Sequence, residues 1–257
     1  MKTRIITALL IIICVIPPLI FGGWLIQLLL AFIVIAGGIE LLSLSEHKSN
    51  WPIIIKPLAI LCVFILILAP AKTTTSWIAI IALAFLSIPI WTDHFHANDA
   101  FLSIAYVITF FAIANSFLEI YQTNTLYVWY IIIATYVCDT CAFFCGFLFG
   151  KHKLNVRISP KKTWEGAIGG WFFASLISFA FAYFFLPSID LWVALLASCL
   201  MAITGQIGDL AFSAIKRCFQ IKDFSNLLPG HGGVLDRVDS LVFNFICFHM
   251  ILVVFIL

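Results

Sequence analysis

Charge is scarce in this chain: 14 Lys and Arg and 12 Asp and Glu in 257 residues, 10% in all, against 63% hydrophobic residues. A soluble domain is about half apolar and about a quarter charged, so a soluble globular fold is excluded. The mean hydropathy of +1.15 agrees. Alternating ten-residue segments are missing, which excludes a membrane β-barrel. No internal repeat, low-complexity tract or soluble domain stands out. A GxxxxGK[ST] loop is absent, as is GxGxxG after a strand, so neither common nucleotide-binding loop is available. Eight cysteines include Cys138-x-x-Cys141, yet no second pair or Cys/His partner completes a four-ligand zinc site. Cys14, Cys62, Cys199 and Cys247 lie within apolar runs, where cysteine acts as a small hydrophobe.

What the chain has is apolar length. Runs of about 18 residues or more recur throughout, the mark of transmembrane helices. They fall near 5–22, 24–43, 53–70, 76–92, 99–118, 126–149, 166–186, 190–210 and 240–257. The expected fold is therefore all-α, a polytopic membrane protein with about nine transmembrane helices. The first run follows Lys2 and Arg4 but reaches Pro17-Pro18 without a small-residue cleavage site, so it reads as a retained helix rather than a signal peptide. With the N-terminus inside, the inner loops receive Lys48, Lys56, Lys151, Lys153, Arg157, Lys161, Lys162, Lys216, Arg217, Lys222 and Arg237, in addition to Lys2 and Arg4. Lys72 alone falls outside. Thirteen of the 14 basic residues on one face satisfy the positive-inside rule, which predicts a multi-pass protein whose polar loops face the cytoplasm.

Residues 1–120 carry few polar signals; residues 121–257 carry nearly all of them. Asp139, in YVCDTCAFFCGF, is a carboxylate in the interior of an apolar run. Such a group is costly unless it is paired, hydrated or bound to a cation, so it marks either a structural salt bridge or a functional site. In GKHKLNVRISPKKTWEG, residues 150–166, Ser159-Pro160 reads as a helix start, Ser capping and Pro at the first helical position. Lys161 and Lys162 would then oppose the helix dipole. They either anchor the chain at the membrane face or meet an external anion such as phosphate. In TGQIGDLAFSAIKR, Asp209, Ser213 and Lys216 or Arg217 share one helical face. That face suits either a plain Asp209–Lys216 pair or a metal ion with bound phosphate.

The densest polar stretch is LLPGHGGVLDRVDS, residues 227–240. Its glycines let backbone N–H groups approach an anion closely. Asp236 and Asp239 lie three apart at the start of the last run. One of them could be satisfied as a cap; two, with Arg237 between them, suit Mg²⁺ bridged to substrate phosphates. His231 reads equally as a structural histidine or a substrate contact.

Ser213 to Asp239, SAIKRCFQIKDFSNLLPGHGGVLDRVD, resembles the signature of the phosphatidate cytidylyltransferases, or CDP-diacylglycerol synthases. The matching positions are Ser213, Lys216, Arg217, Lys222, Asp223, Pro229, His231, Gly232, Gly233, Asp236, Arg237 and Asp239. The likeness extends to Asp139 with Gly146…Gly150-Lys151 and to SPKKTWEG, Ser159 to Gly166. It departs at 141–144, CAFF, where a tyrosine would follow Ala142. The resemblance implies transfer of a cytidylyl group from CTP to phosphatidic acid at the bilayer surface, with release of pyrophosphate. It implies Asp209 and Asp236 as the principal Mg²⁺ ligands, with Asp239 and Asp139 in support, and K⁺ as a second cation. Lys216, Arg217, Lys222 and Arg237 would neutralise CTP phosphates, with Asp223 and His231 in the same catalytic set. Ser159, Lys161, Lys162, Ser213, Gly232 and Gly233 would contact substrate. No general base is required, because the phosphate nucleophile is already ionised. Nucleic acid is not an expected partner, a homodimer is, and the expected location is the cell inner membrane. A transporter would leave the signature unexplained, and no inverted repeat is visible. A CTP-dependent lipid kinase is the other enzyme class in view, whereas a CDP-alcohol phosphotransferase would need a DG…AR…G…D…D pattern that the chain lacks.

Overall fold

The computed structural model describes residues 2–46 and 51–257; Lys48, counted above among the inner cations, lies outside them. Nine α-helices follow one another among the described residues: α1 Lys2–Phe21, α2 Gly23–Glu46, α3 Ile55–Leu68, α4 Ala71–Ser87, α5 Ala97–Thr123, α6 Thr125–Phe149, α7 Trp164–Phe185, α8 Leu191–Cys218 and α9 Leu235–Ile251. A π-helical turn, Leu252–Ile256, closes the chain. Among the described residues seven helical segments are long and apolar enough to cross a membrane, and Ile6–Phe21 and Ile55–Leu68 are shorter apolar helices. The protein is an all-α, multi-pass membrane protein, as its apolar runs predict. One small sheet departs from pure helix. Strands β1, Lys153–Asn155, and β2, Ser159–Thr163, form an antiparallel hairpin with Lys153 opposite Thr163 and Asn155 opposite Ser159.

That hairpin corrects the expected helix start at Ser159-Pro160. Both residues are in β2, and α7 begins only at Trp164, capped by the Thr163 hydroxyl, which accepts the Gly166 N–H at 3.2 Å. The physical reason is that proline's fixed φ suits an edge strand as well as a first helical turn, and the residue before it is biased to extended backbone. Lys161 and Lys162 therefore precede the helix rather than crowd its first turn. Glu165 occupies that turn and complements the dipole.

The chain forms two compact units. The first comprises 1–115 and 223–236, the second 116–222 and 237–257. In the first, α2 and α5 approach closely through Gly37 and Gly38. A Cβ on Gly37 would lie 2.7 Å from the Phe110 ring, and one on Gly38 would collide with the Tyr106 hydroxyl. That hydroxyl donates to the Val34 carbonyl at 2.9 Å. At the start of α5, Asp99 accepts the His96 N–H at 2.8 Å and the Ser45 hydroxyl.

In the second unit, α6 and α7 pack through small residues, the usual solution where lipid supplies no hydrophobic drive between helices. A Cβ on Gly166 would stand 2.6 Å from the Ala142 carbonyl oxygen, and one on Gly170 2.8 Å from that of Cys138. Buried polar groups then tie the bundle together. Asn244 donates to the Thr135 hydroxyl at 2.7 Å and accepts the Thr204 hydroxyl at 2.6 Å, joining α6, α8 and α9. Gln206 donates to the Ala167 carbonyl at 3.0 Å, and Tyr130 to that of Ala194 at 2.7 Å.

Candidate active site

The second unit builds its polar cluster on two parallel helices and the hairpin. Asp139 lies ten residues before the end of α6, Phe149, and Asp209 nine before the end of α8, Cys218. At about 1.5 Å per residue these are depths of about 15 and 14 Å from the helix ends. Helices two apart in an alternating series run the same way, so both acids lie toward the same end of their helices. Asp139 is within electrostatic reach of Asp209, Lys162 and Asp239. Its side chain is exposed at the protein surface although it lies deep within a span. A carboxylate so placed needs water or a cation beside it rather than hydrocarbon.

Lys162, from β2, forms an ion pair with the Asp209 carboxylate, and both are partly buried. Ser213, one turn below Asp209, donates its hydroxyl to Asp209 Oδ1 at 3.3 Å. The helical face read from the sequence thus exists, and α8 continues eight residues past the expected 210 because that polar face leaves the apolar span without breaking the helix. Lys216 and Arg217 in its last turn favour the dipole. They differ in placement. Lys216 is buried, at 8% exposure, whereas Arg217 is exposed and donates to the carbonyls of Ile158 at 3.4 Å and Ile221 at 3.1 Å. Arg217 and Lys162 thereby fix the hairpin to α8 from two sides. Lys161 is exposed on the neighbouring strand position, and Ser159 lies at the far end of the hairpin. On α9, Asp239 Oδ1 accepts the Ser240 N–H at 2.8 Å. Tyr136 lies within electrostatic reach of Asp139, Asp239 and Arg237, which sets these side chains around one stretch of α6.

The first unit holds the glycine loop and a second acidic group. Gly230 and Gly232 take left-handed backbone, φ 77° and 83°. A Cβ on Gly232 would lie 2.8 Å from Asp236 Oδ2 and 3.4 Å from Asp223 Oδ1, so these two carboxylates flank it. Asp236 Oδ2 accepts the N–H groups of Phe224 and Gly233, each at 2.9 Å. The His231 N–H goes to the Leu228 carbonyl at 2.8 Å, and its Nδ1 is buried without a hydrogen-bond partner. Lys222 and Arg237, at the two ends of this segment, are exposed.

Sequence reasoning missed Glu40. This carboxylate of α2 is 4% exposed. Its Oε1 accepts the Ser225 hydroxyl at 2.6 Å and the Val234 N–H at 2.8 Å, and its Oε2 accepts the Leu235 N–H at 2.8 Å. The anion-attracting N-terminus of α9, Leu235–Ile251, is therefore occupied by side chains of the protein itself. The Gly233 N–H, read from the sequence as an anion contact, is donated to Asp236. The available signal was a lone acid, Glu40, inside the apolar run 24–43.

Among the described residues no group of three or more His, Cys, Asp or Glu side chains is gathered tightly enough to enclose a metal unaided. Mg²⁺ does not need such a cage. It is usually held by one or two carboxylates, with waters and substrate phosphate oxygens completing the octahedron. The donor set fits that cation: carboxylate oxygens of Asp139, Asp209 and Asp239 within electrostatic reach, and Asp139 open at the surface.

The chain matches the family described as the cytidylyltransferase family over residues 2–255. It is 35% identical over 262 residues to a phosphatidate cytidylyltransferase of Staphylococcus saprophyticus, covering 95% of each chain. A phosphatidate cytidylyltransferase of Staphylococcus haemolyticus is 33% identical and one of Staphylococcus aureus 32%, again with 95% of each chain covered.

Proposed function

This chain belongs to the cytidylyltransferase family, and from that membership we propose how its polar clusters join CTP to phosphatidate. The protein is a nucleotidyltransferase of phospholipid biosynthesis, producing CDP-diacylglycerol and pyrophosphate. In the reaction a phosphate oxygen of phosphatidate attacks the α-phosphorus of CTP. A P–O bond forms, the bond to the β-phosphate oxygen breaks, and pyrophosphate carries away the electron pair.

Both reactants are polyanions, so the chain's own work is to hold like charges together. Lys162, paired with Asp209, is the cation best placed to pass from the protein's carboxylate to a phosphate. Arg217, Lys222, Arg237 and Lys161 are exposed cations proposed for the triphosphate. Ser213 orients Asp209. His231 offers its buried Nδ1 to a substrate group and takes no proton from the nucleophile. Gly232 admits the close approach of Asp223 and Asp236. In the second unit Asp209, Asp139 and Asp239 would hold Mg²⁺, with K⁺ proposed as a second cation; Asp236, in the first unit, is proposed as a further Mg²⁺ ligand from the family resemblance alone. When bound, the divalent ion supplies charge neutralisation at the leaving pyrophosphate. The active face is proposed to lie on the cytoplasmic side of the cell inner membrane, supported by the one-sided distribution of Lys and Arg. A homodimer is proposed from family likeness.

The observation that carries this reading is the Asp139–Asp209–Lys162 cluster, two carboxylates on apolar helices with one lysine of the hairpin paired to Asp209 and Asp139 left exposed to water or a cation. The test uses purified protein in detergent micelles with phosphatidic acid, Mg²⁺ and CTP labelled at the α-phosphate. Label should enter the lipid fraction, and EDTA should stop it. Lipid labelled instead from γ-labelled CTP would make the protein a kinase and overturn the proposal.

A further inference from the structure

The signature loop rests on a residue about 190 positions upstream of it. Glu40 presents two buried carboxylate oxygens to three donors of the loop and α9, Ser225 Oγ, Val234 N and Leu235 N, at 2.6 to 2.8 Å. All four residues belong to one compact unit. The seat has no slack. A Cβ on Gly233 would fall 2.6 Å from both Glu40 oxygens, so the loop's second consecutive glycine exists at the point where the backbone meets this carboxylate. Asp236 ties down the neighbouring amides of Phe224 and Gly233. Glu40 and Asp236 together thus take up the backbone donors of 233–235 that would otherwise bind a mobile anion.

We propose that Glu40 is the positioning residue of the site: it clamps Ser225 and the first turn of α9, and so sets where His231, Gly232 and Asp236 present themselves. This rests on the cytidylyl-transfer reading above. The chemistry of the clamp is specific to a carboxylate. Glutamine has the same shape but offers one oxygen and one N–H₂ group, so a donor would face a donor at Val234 or Leu235. A buried donor left unmet shifts the loop, and displacements of about 1 Å at a reacting centre cost on the order of 100-fold in rate.

The experiment compares wild type with Glu40→Gln, Ser225→Ala and Gly233→Ala in micelles. It reads kcat and KM for both substrates and the rate at which trypsin cuts after Lys222. Glu40→Gln should lower kcat by about 10- to 100-fold, leave KM for phosphatidate within about twofold, and speed cleavage. Ser225→Ala, which removes one bond of three, should fall between, and it keeps the test alive if Glu40→Gln does not fold. Gly233→Ala should reproduce Glu40→Gln, and the double variant should be no worse than either single one, because both break the same seat. Wild-type kcat and cleavage rate in Glu40→Gln, or additive losses in the double variant, would overturn the clamp. If the wild type transfers no label, the reaction assignment fails, while the cleavage comparison still decides whether Glu40 holds the loop.

Discussion

Lys162 and Asp209 hold one another in a partly buried pair, each side chain 29% exposed. Such a pair both steadies the hairpin and stores a cation beside the acidic cluster. A charge-assisted hydrogen bond to phosphate is worth about 1.5–3 kcal/mol, and about 1.4 kcal/mol is a factor of ten. Lys162→Ala should therefore raise KM for CTP by about tenfold or more, whereas Lys161→Ala, on the exposed neighbouring position, should change it less than about threefold. Equal effects in the transfer assay would assign both lysines to simple surface attraction. Asp236 raises a different question, because its Oδ2 already serves two backbone N–H groups. Asp236→Ala removes both charge and anchor and should abolish turnover with expression intact. Asp236→Asn keeps an acceptor oxygen in place. A loss of 100-fold or more in Asp236→Asn marks the charge as essential; near-normal activity makes Asp236 a loop anchor and removes it from the proposed metal ligands. At this scale the sequence revealed identities well and commitments poorly. It exposed Asp139, Asp209, Asp236 and Asp239 because acids are rare in an apolar chain. It could not tell that Asp236 caps backbone, that Lys216 is buried, or that the exposed Arg217 also donates to two carbonyls.

Between α6 and α7 the contact is made by backbone. Gly170 faces the Cys138 carbonyl, and Gly166 faces that of Ala142. Gly170→Ala inserts a methyl where no flexible side chain can yield, so the helices must separate. Overpacking of this kind costs about 1–3 kcal/mol. The thermal unfolding midpoint in detergent should fall, and activity should fall with it, since α7 starts from the strand that carries Lys162. An unchanged midpoint would mean that α6 and α7 do not rely on this approach. Apolar length gives away the seven long helical segments among the described residues because about 18 residues of hydrocarbon-compatible sequence have few other uses, and the runs 5–22 and 53–70 fold into the two shorter apolar helices, Ile6–Phe21 and Ile55–Leu68. Helix ends were less legible. α9 begins at Leu235 rather than 240 and α8 reaches Cys218, because both continue through polar turns that a hydropathy pattern discards. The hairpin at 153–163 was hidden for a related reason. Ser-Pro fits a strand edge and a helix start alike, and the choice is made by pairing with Lys153–Asn155, which is tertiary information.

Along the sequence the two compact units are interleaved: residues 223–236 return to the unit that contains α2, after more than a hundred residues of the other. Glu40 explains why the return is stable, since a buried carboxylate with three donors is costly to leave unpaired. No pattern within 213–239 announces it, because the partner lies 185 or more residues away. An odd number of spans makes one claim that concerns the whole chain: with the N-terminus inside, alternation predicts the ends of α6 and α8 on the inner face and Lys72, at the start of α4, on the outer one. Cys218, exposed at the end of α8, is a natural reporter of that face. In a variant with the other cysteines replaced, a membrane-impermeant maleimide should label Cys218 in inside-out vesicles and not in right-side-out ones. A cysteine placed at Lys72 should show the opposite pattern. Labelling of Cys218 only from the outside would invert the topology and carry the lysines, the arginines and the acidic cluster to the wrong side of the membrane for cytoplasmic CTP. The proposed reaction depends on the first outcome, because a nucleotide supplied from within the cell can reach only a site that opens inward.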